Sequence, residues 1–221
     1  MRLRSYVVKG APTADKKSLD ELITLLQAAV AVANTERWAV GLNADPSPIT
    51  LPKPLRTAAY EVTVVDAFQR LIRHWVERQE RISIWERPFY TGVPGAPQRV
   101  DIALFKAASA GSLGEEWRLE LGGYSTAKLK KEARRIVGLP AEASYPSVRN
   151  LILLWNELPN RLDETGFRTW TAARASDAAA ASALAGTPYA SVDLLITSGL
   201  DLFVTGHKRH RSLMAAVFEV Q

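Results

Sequence analysis

The stretches RVDIALF (residues 99–105) and WRLELGG (residues 117–123) each carry one carboxylate inside an apolar run. Successive side chains of a β-strand point to opposite faces, so Asp101 and Glu120 each lie opposite their apolar neighbours. In the first stretch, the apolar face is expected to consist of Val100, Ile102 and Leu104. An ionised carboxylate on a covered sheet face is unfavourable by several kcal/mol unless it is paired or bound to a metal. Two such acids on neighbouring strands therefore predict a site that attracts a cation.

The composition is that of a protein with one hydrophobic core. The chain has 221 residues, of which 47% are hydrophobic, enough for one well-buried domain. Its formal net charge of +5 permits a polyanionic partner without requiring one. The chain contains no cysteine, which excludes disulfides, thiolate zinc sites and cysteine nucleophiles.

No targeting or membrane-spanning segment is expected. The basic start of the chain is not followed by an apolar run of the signal-peptide type. The apolar stretch from Leu19 to Ala33 is too short to span a bilayer and is interrupted by Asp20, Glu21 and Gln27. We therefore predict a cytoplasmic protein that has no membrane partner.

Residues 1–54 are predicted to form an N-terminal extension. A short strand within residues 3–9 is followed by a helix that opens with a Ser18–Glu21 capping box and ends near Asn34. Residues 43–54 contain four prolines, which exclude a regular helix and indicate an extended connection. The core is expected to occupy residues 55–221.

The first half of the core is predicted to be a helix followed by three strands. A helix over residues 57–80 has an apolar stripe, within which Glu61 falls and is expected to be buried. A strand over 81–90 comes next, and the strands of Asp101 and Glu120 then form an antiparallel hairpin. Small residues over 107–114 are expected to make the loop of that hairpin.

The second half begins with a basic helix. Ser125 or Thr126 can cap a helix over residues 127–137, and Gly138 and Pro140 mark the end of that helix. The helix is expected to be the crossover to a buried strand. The remaining expected elements are that strand over 148–155, a helix starting near Phe167 or Asp177, a strand over 191–197, and a terminal hairpin of 200–205 with 213–220.

This order of elements over Arg56 to Trp155 resembles the restriction-endonuclease-like PD-(D/E)XK nuclease superfamily. The resemblance implies an α/β fold with a restriction-endonuclease-like core and an N-terminal helical extension. That core consists of a helix, a three-stranded mixed sheet, a crossover helix and further strands. The implied activity is metal-dependent hydrolysis of nucleic-acid phosphodiester bonds, with DNA as the expected substrate.

The resemblance also assigns roles to individual residues. It implies that Asp101 and Glu120 bind Mg²⁺ or Mn²⁺ and that Glu61 completes the acidic cluster. The family lysine stands two residues after the glutamate, where this chain has Gly122, so Lys128 at the start of the next helix is the nearest substitute. The usual proline before the aspartate is also missing, which matters less because many relatives lack it.

Gly122 keeps two other interpretations open. The chain could be a catalytically inactive protein of the same fold, acting as a binding or immunity subunit in a defence or DNA-processing complex. It could also be a structural α/β protein whose acids face solvent, with Arg118 neutralising Glu120 and Arg56 pairing with Glu61.

A basic segment precedes the last strand. Lys208, Arg209 and Arg211 could donate charge-assisted hydrogen bonds to phosphates, although a solvated hairpin turn is the favoured explanation. His207 and His210 have no third ligand nearby in the sequence, which disfavours a metal site there.

Overall fold

The computed structural model describes residues 3–7, 13–44, 58–78, 81–89, 97–109, 112–139, 148–158, 160–183, 191–204 and 209–221. The helices and strands in chain order are β1 (Leu3–Val7), α1 (Thr13–Ala44), α2 (Ala58–Arg78), β2 (Arg81–Phe89), β3 (Gln98–Ser109), β4 (Ser112–Gly123), α3 (Thr126–Val137), β5 (Arg149–Leu158), α4 (Glu164–Ala183), β6 (Val192–Val204) and β7 (Arg209–Val220).

The strands form one seven-stranded sheet in the order β1-β6-β7-β5-β4-β3-β2. Strands β4 and β5 pair in parallel, and the other five neighbouring pairs are antiparallel. Parallel neighbours need a crossover connection, and α3 lies between β4 and β5 in the chain. The fold class is therefore α/β with a mixed sheet, as the sequence predicted.

Helices cover both faces of the sheet. On one face, α1 and α2 pack on alternate strand residues such as Leu119 and Leu153. On the other face, α3 and α4 pack on the intervening residues, such as Ile152 and Leu154. The central strands are apolar on both faces because both faces are covered.

The helices that flank the site begin and pack as the sequence predicts. In α2 the stripe of Val65, Phe68, Ile72 and Trp75 is buried. Ser125 is the N-cap of α3, and its hydroxyl oxygen accepts a hydrogen bond from Lys128 N at 3.0 Å. The first turn of α2 carries Glu61 and the first turn of α3 carries Lys128, and both turns lie near the same end of β4.

Several element boundaries differ from those predicted. Helix α1 begins at Thr13, so Ser18 lies inside the helix and the predicted capping box is wrong. Residues 107–109 extend β3 and residues 112–114 extend β4, and the pairing of these strands continues to Ser109 and Ser112. Helix α4 starts at Glu164, because Asp163 Oδ1 accepts from Gly166 N at 2.7 Å in the manner of an N-cap.

The N-terminal elements share the sheet and the core. Strand β1 pairs with β6, and α1 contributes Leu22 and Leu26 to the same apolar layer as α2. Helix α1 continues to Ala44, beyond the predicted end near Asn34 and into the connection predicted over residues 43–54, and the rest of that connection lies outside the described residues. Within the described helices, none combines the length and the hydropathy needed to cross a bilayer.

Candidate active site

The site lies where β3 and β4 separate. The last residues paired between these strands at this end are Ile102 and Leu119. Beyond them, the Leu121 N–H donates to Asp101 Oδ2 at 2.7 Å, so a side-chain carboxylate replaces the backbone acceptor that the ladder would supply.

Where the two strands separate, the first residues of β3 also pack on a different face of the sheet from the one predicted. Ile102 packs in the layer of α1 and α2, whereas Val100 packs in the layer of α3 and α4. The expectation that Val100 and Ile102 share one face is therefore wrong. The strands diverge at Asp101, and strict alternation does not hold across such a break.

Asp101 and Glu120 form a close pair of acids. Glu120 is 2% exposed, and burial, together with the negative charge of Asp101, raises its pKa to about 9. Burial also raises the pKa of Asp101, against the opposing effect of the Leu121 N–H. Among the described residues, Glu120 Oε1 is buried without a hydrogen-bond partner. The pair therefore favours a proton or a cation between or beside the two carboxyl groups.

Arg135 is the cation paired with this acidic site, and it is not among the site residues predicted from the sequence. It forms an ion pair with Glu120, and its Nε donates to Glu132 Oε2 at 2.7 Å. Burial lowers the pKa of Arg135, but the charges of Glu120 and Glu132 outweigh this and the net shift is upward. A signal was present, because residues 128, 132 and 135 follow the helical spacing that places side chains on one face.

Arg118 binds Glu115, whereas the sequence suggested Glu120 as its partner. Its Nη2 donates to Glu115 Oε2 at 2.9 Å, and its guanidinium lies 4.5 Å from the centroid of the Phe89 ring. Glu115 also pairs with Arg87. Glu115 and Arg118 of β4 and Arg87 of β2 thus form a largely buried network.

Glu61 and Lys128 bind each other at the rim of the site. Lys128 Nζ donates to Glu61 Oε2 at 2.7 Å, and Gly123 N donates to Glu61 Oε1 at 3.0 Å. The Glu61 side chain is 34% exposed, so it is half-buried rather than buried as the stripe predicted. It lies in the first turn of α2, where the helix end meets the end of β4.

Lys128 occupies the space that a side chain at residue 122 would need. A Cβ atom built on Gly122 would overlap Lys128 Cε and Nζ and lie 3.0 Å from Lys128 Cδ. The Lys128 amine therefore extends from α3 into the space where the side chain of a larger residue at position 122 of β4 would begin.

One pocket of about 260 Å³ brings the four predicted site residues together. Its walls contain five acidic and three basic side chains, a formal charge of −2. The lining residues are Glu61, Val62, Val65, Trp85, Glu86, Asp101, Glu120, Leu121, Lys128, Lys131, Glu132 and Arg135. In the described part of the chain, no group of three or more acidic or histidine side chains is arranged to hold a metal ion. The candidate ligands are thus the pair Asp101 and Glu120.

The basic segment near the C-terminus is described in part. Lys208 lies outside the described residues, and Arg209 and Arg211 belong to β7, paired with Val204 and Leu202. Leu158, the last residue of β5, pairs with Ser212 near the start of β7. Since β4 and β5 are parallel, β7 begins at the end of the sheet where the pocket lies.

Comparisons of the chain with protein-family models, with curated protein sequences and with solved structures gave no match. The function is therefore inferred from the geometry and chemistry of the site.

Proposed function

We propose that this protein is a metal-dependent nuclease with a restriction-endonuclease-like core. The order α2-β2-β3-β4-α3-β5, with an antiparallel β2-β3-β4 unit and a parallel β4-β5 pair, agrees with the order that the resemblance implies. One observation carries the proposal: a single pocket holds Asp101, Glu120 and an amine, Lys128 Nζ, that fills the space over Gly122.

The residues present fit a divalent cation. Glu120 Oε1 is buried without a partner among the described residues, and the pocket carries a formal charge of −2. Mg²⁺ is commonly held by one or two carboxylates and keeps several waters, so Asp101 and Glu120 suffice as protein ligands. When bound, such an ion polarises a phosphate and lowers the pKa of a coordinated water.

The chain's own groups supply positioning and charge. Glu61 holds Lys128 Nζ at 2.7 Å and is itself held by the Gly123 N–H, which fixes the amine at the end of β4. From there Lys128 can donate to a phosphate oxygen and orient an attacking water. Leu121 N holds Asp101, so the carboxylate is oriented before substrate binds.

The test is cleavage of plasmid DNA in Mg²⁺ or Mn²⁺ by the wild type and by Asp101→Ala and Glu120→Ala. We expect both variants to lose cleavage, because each removes one of the two proposed ligands. Asp66→Ala is the control, since Asp66 is an exposed acid of α2 outside the pocket. Unchanged cleavage by both pocket variants would refute the assignment.

A second candidate is a non-catalytic binding or immunity subunit in a defence or DNA-processing complex. Arg135 favours it, because a buried acid that already has an arginine partner needs no metal. This candidate would be favoured over the nuclease if the wild type cleaves no nucleic acid and if Mg²⁺ and Mn²⁺ leave its melting temperature unchanged.

A further inference from the structure

An exposed tryptophan stands beside the acidic pocket. Trp85 is 42% exposed and Val62 is 58% exposed, and both line the pocket that holds Asp101 and Glu120. They belong to different elements, β2 and α2, so the chain brings two exposed apolar side chains together at this one place. Large exposed apolar side chains that meet at a concave site are a sign of ligand contact.

The backbone next to Trp85 is unusual. Glu86 has a φ of 50°, in the left-handed region that residues other than glycine rarely adopt. Trp85 pairs with Ile102 and Arg87 with Val100, so Glu86 stands opposite the break at Asp101. Ile84, Trp85 and Glu86 are consecutively exposed, whereas a regular strand packed on one face alternates. The distortion in β2 thus accompanies the exposure of Trp85 at the pocket.

The same pocket contains three basic side chains. Helix α3 contributes Lys128, Lys131 and Arg135 to it, together with Glu132, while β2 contributes Trp85 and Glu86. An aromatic ring and cationic side chains in one pocket are the combination that proteins use for single-stranded nucleic acid, with bases stacked on the ring and phosphates near the cations. A base inside a duplex is stacked on both sides and cannot offer its face to Trp85.

We propose that Trp85 stacks on an unpaired nucleobase next to the phosphate at the acidic pocket, so that the substrate is single-stranded or has frayed ends. The inference rests on the proposed nuclease function and names its substrate class. A protein partner covering Trp85 is disfavoured because Trp85 lines a charged pocket. The other exposed apolar residues of β2, Ile82 and Ile84, do not line that pocket, so they do not form one apolar surface with Trp85 there.

The test measures binding of a short fluorescent single-stranded DNA and of its blunt duplex by anisotropy, in an Asp101→Asn background that prevents cleavage. Trp85→Ala is expected to weaken single-strand binding roughly tenfold, the size of a lost base–aromatic stack. Trp85→Phe keeps a ring and should retain most of the affinity. Ile82→Ala is the matched control, because Ile82 is an exposed apolar residue of β2 outside the pocket.

The outcomes separate this inference from the nuclease proposal. Trp85-dependent single-strand binding supports the inference, even if the protein with Asp101 intact cleaves nothing in Mn²⁺. Equal affinity for strand and duplex, or unchanged binding by Trp85→Ala, overturns the inference, even if the protein cleaves plasmid. Absence of binding to either DNA also overturns it and leaves the Trp85 surface to a protein partner.

Discussion

The position of Lys128 over Gly122 predicts that the amine can be moved from α3 to β4. Three variants test this: Lys128→Ala, Gly122→Lys, and the two substitutions combined. Lys128→Ala removes the only proposed amine and should lower kcat by about 10²–10⁴-fold, the usual contribution of a positioned proton-transfer or water-orienting group. In the double variant, a lysine at residue 122 starts in the space that Lys128 has left, and we expect it to restore part of that loss.

The structure sets the size of the accompanying stability effects. The Lys128 and Glu61 side chains are 22% and 34% exposed, so loss of their ion pair should change the free energy of unfolding by about 0–1 kcal/mol. Glu61 keeps the Gly123 N–H as a partner. In Gly122→Lys alone, the new Cβ overlaps Lys128 Cε and Nζ, which must move and leave Glu61. We therefore expect this single variant to remain folded and to be less active than the wild type, at about the level of the double variant, because in both the amine comes from residue 122.

The assay is the initial rate of DNA cleavage in Mn²⁺, on single-stranded or plasmid DNA, whichever the wild type cleaves faster, with melting temperatures measured on the same preparations. Lys130→Ala is the control, because Lys130 is a neighbouring lysine of α3 that does not line the pocket. Full activity in Lys128→Ala would refute the role of the amine. A folded double variant no more active than Lys128→Ala would refute the equivalence of the two positions.

Three further predictions concern stability. The folded-state pKa of Glu120, about 9, lies above its ordinary value of 4.5, so the stabilising effect of its neutral form is full below pH 4.5 and is lost as pH rises toward 9. In EDTA, urea unfolding should therefore show Glu120→Gln gaining stability relative to the wild type as pH rises, and a difference independent of pH would contradict the raised pKa. Mn²⁺ at a hundred times its Kd should stabilise the wild type by about 2.7 kcal/mol and leave the melting temperature of Asp101→Ala unchanged. Tyr124→Phe removes the hydrogen bond from Tyr124 Oη to Asp177 Oδ2, at 2.5 Å, and should destabilise by about 0.5–1.5 kcal/mol in denaturant unfolding, since Asp177 retains Arg174; no change would show that this bond adds no net stability.

The sequence predicted those parts of the site that depend on local pattern. Alternation placed Asp101 and Glu120 in strands, and the Ser125 cap fixed the start of α3 and therefore the approach of Lys128. These features follow from residues near one another in the chain. From the sequence, Lys128 in the first turn of α3 is predicted only to extend toward Glu120. The sequence does not predict that its side chain fills the space over Gly122.

The parts that the sequence missed depend on contacts between distant elements. The ion pair of Arg135 with Glu120 requires α3 to lie over the sheet at one particular angle, which periodicity does not give. The break between β3 and β4 reverses the face of Val100, and nothing in an alternating pattern marks it. The half-burial of Glu61 depends on its contacts with Gly123 of β4 and Lys128 of α3, which are distant in the chain.

The charge of the pocket links its buried acids to metal binding. The pocket carries a formal charge of −2, and burial makes that charge unfavourable unless something neutralises it. Protonation of Glu120 is one response, because burial and the charge of Asp101 raise its pKa to about 9, whereas the ion pair with Arg135 opposes it. A divalent cation held by Asp101 and Glu120 is the alternative, and it must displace that proton. Metal binding at this pocket should therefore strengthen as pH rises from neutrality toward 9, because the proton that competes for Glu120 is progressively lost.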